Sequence, residues 1–96
     1  MVTLHIEHAI TDYGTWKHAF DRFADMRRDS GVIGHRIQQP TDDDRYVVID
    51  LDFGSTEQAS TFLEFLTTRV WSSSGNAPAL VGTPQTRILD MVEQHP

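Results

Sequence analysis

The stretch Arg45–Phe53, RYVVIDLDF, limits the fold more than any other part of the chain. Val47, Ile49, Leu51 and Phe53 fall on one side of an extended chain, and Tyr46, Val48, Asp50 and Asp52 on the other. A period of two with one apolar side marks a strand covered on one face only, as in an antiparallel sheet with helices packed on its apolar side. Val2–His8 repeats the pattern, with Val2, Leu4 and Ile6 set against Thr3, His5 and Glu7. Two further strands are expected. One is Val32–Gln39, with Ile33, His35 and Ile37 on one side; the other is Thr86–Val92, preceded by a Pro84 that suits a strand start or an edge.

Helices fall between these strands. Asp12 can cap a helix whose Tyr13, Trp16, Ala19, Phe20, Phe23 and Met26 recur at helical spacing. Arg27 and Arg28 complement its negative end, and Gly31 suits the left-handed residue after it. Ser55 and Gln58 form a capping box for a second helix, with Ala59, Phe62, Leu63, Leu66 and Val70 as its buried stripe and Phe65 off centre. Pro40–Asp44 is turn chemistry and joins the second and third strands as a hairpin. Trp71–Pro78 has loop composition and is long for so small a domain. The order β-α-β-β-α-β is the split βαβ, or ferredoxin-like, arrangement of the α+β class: a four-stranded antiparallel sheet in the order 4-1-3-2 with two helices on one face.

Ninety-six residues make a single domain, residues 1–96, with a modest core, so pairing of chains is a ready way to bury more apolar surface. A formal net charge of −6 argues against nucleic acid and anionic membrane as partners. An RNA-recognition domain shares the strand order. Its third strand needs aromatic and basic residues on the open face, whereas Asp50 and Asp52 here repel phosphate. The absence of cysteine removes disulfides, thiolate metal sites and cysteine nucleophiles. The N-terminal MVTLHIEHA has no signal-peptide pattern, and no apolar stretch reaches membrane-spanning length, so a cytoplasmic protein without a membrane partner is the expectation.

Several positions together resemble the dimeric α/β-barrel superfamily, which includes antibiotic-biosynthesis-type monooxygenases, haem-degrading relatives, polyketide cyclases and stress-responsive barrels. They are Tyr13-x-x-Trp16-Lys17-x-x-Phe20-Asp21, Gly31-x-x-Gly34, the acidic hairpin, and Phe53-Gly54-Ser55-x-Glu57-x-Ala59. The resemblance implies a homodimer in which two sheets pack face to face, with a cleft between each sheet and its helices. The Asn, Trp and His set of the haem-degrading members has no residue-by-residue match here. The resemblance therefore carries fold and dimer but no catalytic set.

Parity supplies the candidate sites. On the helix-covered side, His35 shares its face with Ile33 and Ile37, near Tyr13, Trp16, Phe20 and Phe62. Two readings stand. One is a plain core with a hydrogen-bonded histidine, the commoner fate of an aromatic stripe. The other is a cleft for a small aromatic ligand, with Tyr13, Trp16, Phe20, Phe62 and Trp71 as walls, His35 as proton acceptor, and the Trp71–Pro78 loop as a cover. On the other side, His5, Glu7, Asp50, Asp52 and Asp90 could converge. Such a cluster suits a divalent cation, but a solvated face, or an interface neutralised by Arg36 and Arg87, is favoured, and no metal site or cofactor is assigned. His8, His18 and His95 read as surface residues, and Asp42–Asp44 as a solvated turn without EF-hand spacing. Ser72–Ser74 has no nucleophile-elbow context, and no Gly-rich loop could cradle phosphate. The functional expectation is a small-molecule-binding dimeric barrel protein, a cofactor-independent monooxygenase or cyclase acting on an aromatic or polyketide-like substrate. The alternative is a non-catalytic dimeric module.

Overall fold

The computed structural model describes residues 1–96 and places the two most clearly alternating segments at the centre of one sheet. Strand β1 (Val2–Ile10) pairs antiparallel with β3 (Tyr46–Phe53), Leu4 opposite Leu51 and His5 opposite Asp50. Strands β2 (Gly34–Gln38) and β4 (Leu80–Asp90) form the edges, giving the spatial order β2-β3-β1-β4. That is the expected 4-1-3-2 order read from the other edge. Leu4, Val47, Leu51 and Phe53 are the largest fully buried side chains, all on the face that the helices cover. The fold is α+β and ferredoxin-like. No helix is long and apolar enough to cross a membrane.

The first helical stretch is broken. Helix α1 (Tyr13–Arg22) starts at Asp12, whose side chain accepts from the Thr15 N–H, and stops at Phe23; a separate helix α2 (Ala24–Asp29) follows. The apolar spacing from Tyr13 to Met26 predicts one helix. The break arises at the Phe20 carbonyl, which accepts from the Phe23 N–H at 3.2 Å and from the Arg27 guanidinium at 2.6 Å. A side-chain donor from the next turn thus takes an acceptor that a regular helix would give to Ala24. In consequence Arg27 is not an exposed partner of the helix dipole: it turns inward and is 7% exposed. After α2, Gly31 has φ +99°, and a Cβ there would stand 2.7 Å from Gln58 Nε2, so glycine is needed for both conformation and close approach.

Helix α3 (Thr56–Phe65) begins at Ser55, whose hydroxyl accepts from the Gln58 N–H at 3.2 Å. It ends in one π-helical turn, Leu66–Val70, closed by the Trp71 N–H on the Leu66 carbonyl at 2.8 Å. Strand β4 starts at Leu80, earlier than the expected Thr86, because Pro84 does not end it. Glu7 pairs with Gln85 and Ala9 with Val81, so Gly82, Thr83 and Pro84 face His8 alone across a bulge on the edge. β4 also corrects one side assignment. Asp90 pairs with Val2, a helix-side residue, and so does not join the carboxylates of the open face.

Candidate functional site

Between sheet and helices lies a cavity of about 80 Å³, lined by 19 residues of which 15 are hydrophobic. Trp16, Phe20, Phe62 and Trp71, all expected as walls, line it. The π-helical turn contributes Leu66 and Val70, and the segment after it contributes Asn76 to Leu80. π-Turns and bulges both place side chains where a regular ladder would not, and here the two flank the same cavity. Tyr13 is not in the lining; it is 37% exposed and packs outside against Trp16, with ring centroids 5.8 Å apart.

His35 keeps the expected side, since it pairs with Leu51, but it does not reach the cavity. It is exposed on a short edge strand, with its ring edge on Phe20 at 5.4 Å. Burial, helped by the Arg27 and Lys17 charges, lowers its pKa. Alternation gives the side a residue faces; depth depends on the strand's place in the sheet, and β2 is an edge.

The histidine of the cavity is His8, on central strand β1, 5% exposed and 6.4 Å from the Trp16 ring. The expectation of a surface residue is corrected here: β4 extends past the bulge to Leu80, which pairs with Ile10 and lines the cavity together with His8. His8 Nδ1 donates to the Ala9 carbonyl at 2.9 Å. A carbonyl can only accept, so in the neutral ring Nε2 carries the lone pair. Nε2 has no protein partner, and no side-chain nitrogen or oxygen is both sealed from solvent and unpaired. It therefore keeps an open edge. Burial lowers the pKa of His8, partly offset by the Ala9 hydrogen bond, which favours the neutral, proton-accepting form.

Arg27 is the one formally charged residue of the lining. Its guanidinium lies 3.6 Å above the Phe20 ring, and Phe20 stacks on Trp16 at 5.0 Å. Asn76, the remaining polar lining group with His8, is held by its own bond to the Arg69 carbonyl at 2.9 Å.

The open face of the sheet carries a different set. Arg36, Asp50, His5, Glu7 and Tyr46 form one chain of hydrogen bonds, with Arg36–Asp50 3.0 Å, Asp50–His5 2.7 Å, His5–Glu7 2.8 Å and Tyr46–Glu7 2.7 Å. Asp52 accepts from Thr3 at 2.8 Å. Both nitrogens of His5 face carboxylates, so the imidazolium suits the site; Glu7 and Asp50 raise its pKa against the opposing effect of burial. Glu7 in turn is lowered, first by His5 and then by Tyr46. The carboxylates are partnered by protein groups, no three His, Asp or Glu side chains converge as metal ligands, and Arg87, opposite His5, makes no ion pair.

No family model and no curated protein matches the sequence. Solved structures do match the fold. The cofactor-independent oxygenase SnoaB of Streptomyces nogalater aligns over 99% of this chain and 96% of its own, at 15% identity and a TM-score of 0.74. A Nitrosomonas europaea protein provisionally described as an antibiotic biosynthesis monooxygenase aligns over 97% and 100%, at 15% identity and 0.71. A dimeric ferredoxin-like protein from an uncultured marine organism aligns over 98% and 97%, at 8% identity and 0.66. The chain thus has the fold of antibiotic-biosynthesis-monooxygenase-like, ferredoxin-like proteins, several of them described as dimeric.

Proposed function

We propose that this chain is a small-molecule-binding protein whose helix–sheet cavity holds a compact aromatic or enolic compound, and that His8 takes a proton from it. The observation that carries the reading is a buried imidazole, fixed by the Ala9 carbonyl through Nδ1, with its Nε2 lone pair left free beside an apolar cavity. A base that stays neutral near pH 7 and is held in one orientation is what general-base catalysis requires. Proton transfer from a phenol or activated C–H to Nε2 leaves a phenolate or enolate. That species can pass electrons to dioxygen, as in a cofactor-independent oxygenase, or close a ring, as in a cyclase. The SnoaB likeness supports the first at the level of fold. His35 has at most an indirect part in this scheme, through its edge contact with Phe20.

Size narrows the substrate. A cavity of about 80 Å³ is smaller than the roughly 150 Å³ void that takes up benzene. A single ring therefore requires the Trp71–Leu80 wall to yield, and a polycyclic substrate requires it to open widely. The proposed assembly is a homodimer joined through the open sheet face, where exposed Val81 and Leu89 lie beside the hydrogen-bonded chain. Light scattering giving twice the 10.9 kDa chain mass supports this assembly, and a monomer at high concentration removes it.

Oxygen uptake and product formation, measured over a panel of one- and two-ring phenols, test the chemistry. His8→Gln should lower turnover by about 10²-fold or more, the ordinary contribution of a positioned base, while ligand affinity changes far less. Turnover at the parental rate in His8→Gln removes the base. Binding without turnover in the parent protein favours the non-catalytic module.

A further inference from the structure

Arg27 is a buried cation with no carboxylate against it. Its one protein acceptor is the Phe20 carbonyl at 2.6 Å, and the rest of its attraction is to the face of the Phe20 ring. Asp21, whose field it feels, is bound to Lys17 at 2.6 Å instead. A guanidinium has five N–H donors in a planar fork and stays charged in proteins, so most of its donor capacity here is not taken up by protein groups. None of these nitrogens is sealed off and unpaired, and the residue lines the cavity. A cation placed among apolar groups without a counter-charge is costly, and an anion brought to it offsets that cost. The chain itself supplies no anion to this cavity, because no aspartate or glutamate lines it.

We infer that the cavity selects a planar monoanion, its acidic oxygen group turned to the Arg27 guanidinium and its flat body among the apolar side chains of the lining. The ligand's charge enters with the ligand, so an uncharged analogue of the same shape binds less well. The helix break gives this a structural basis: the Phe20 carbonyl and ring hold Arg27 at two points, which fixes the fork before any ligand arrives. His8 and Arg27 then divide the work, one accepting a proton and the other holding an oxyanion. This inference rests on the cavity being a ligand site, the reading proposed above.

Titration of the full chain with benzoate and with the isosteric, uncharged benzamide, followed by fluorescence of Trp16 and Trp71, separates the two ideas. Benzoate should bind at least tenfold more tightly than benzamide, with the preference shrinking at high salt. Arg27→Met, which keeps length and apolar packing, should abolish the preference for benzoate over benzamide. Equal affinity of the parent protein for the two probes overturns the selection of an anion and leaves the cavity reading standing. Failure of both probes to bind overturns both. The comparison in the parent protein decides the matter even if Arg27→Met does not fold.

Discussion

His5 and His8 sit three positions apart on one strand and have opposite fates. His5 lies on the open face between two carboxylates, which raise its pKa; His8 lies under the helices among aromatic rings, where burial lowers it. The two faces of the sheet differ in the same way. On the open face every charge in the central chain of hydrogen bonds meets an opposite charge or a hydroxyl. On the covered face Arg27 and His8 are satisfied only in part, by backbone carbonyls. A surface network can be complete because its role is to neutralise itself. Partial satisfaction next to a cavity leaves hydrogen-bonding capacity for something that is not protein.

The contrast can be broken or sharpened by substitution. The largest effect belongs to the covered face, where Phe53→Ala removes a fully buried ring packed on Phe62 and should cost about 3–5 kcal/mol in urea unfolding. A loss under about 1 kcal/mol would mean that this face is not the core. On the open face Asp50→Asn keeps the shape but weakens two charge-assisted bonds, to His5 and Arg36, and about 1 kcal/mol is expected in the same measurement. The smallest effect is one of profile. The pKa of His5 is raised in the folded chain, so its stabilisation is complete below its ordinary 6.5 and fades as pH rises through the higher folded value. The pKa of Glu7 is lowered, so its stabilisation is complete above its ordinary 4.5 and fades as pH falls through the folded value. His8 acts in the opposite sense to His5: the folded chain resists its protonation, and stability falls as pH drops below 6.5. His5→Gln should flatten the alkaline limb of stability against pH and leave the His8 contribution on the acid limb in place. An unchanged alkaline limb would detach His5 from the network.

Much of this contrast is legible in the sequence. Parity sorts β1 and β3 correctly, because both are central strands with one covered face, and the caps at Asp12 and Ser55 are local chemistry. It also places His5, Glu7 and Asp50 on one side and offers Arg36 and Arg87 as neutralisers, of which Arg36 pairs with Asp50 and Arg87 makes no ion pair. Depth is harder to read. His8 shares the cavity lining with Leu80, and the strand that brings Leu80 there is masked by a Pro and a Gly in the bulge. The signal lay in Ile10, which prolongs the apolar side of β1 past His8 and marks that position as covered. Arg27 carried no such signal, because its inward turn results from a helix break that Arg27 itself helps to make. Asp90 was readable: it shares parity with Ile88, whose partner is Leu4.

The irregular pairing opposite His8 sets three residues of β4 against one of β1, two more than an even ladder would hold. Two is an even number, so Leu80 still points to the same side as Ile10 beyond the interruption. The edge can therefore gain or lose chain there in steps of two without inverting the neighbouring residues. Removing a single residue from Gly82–Pro84 would instead turn Leu80 out and Val81 in, exchanging the cavity's rim for the sheet's outer surface.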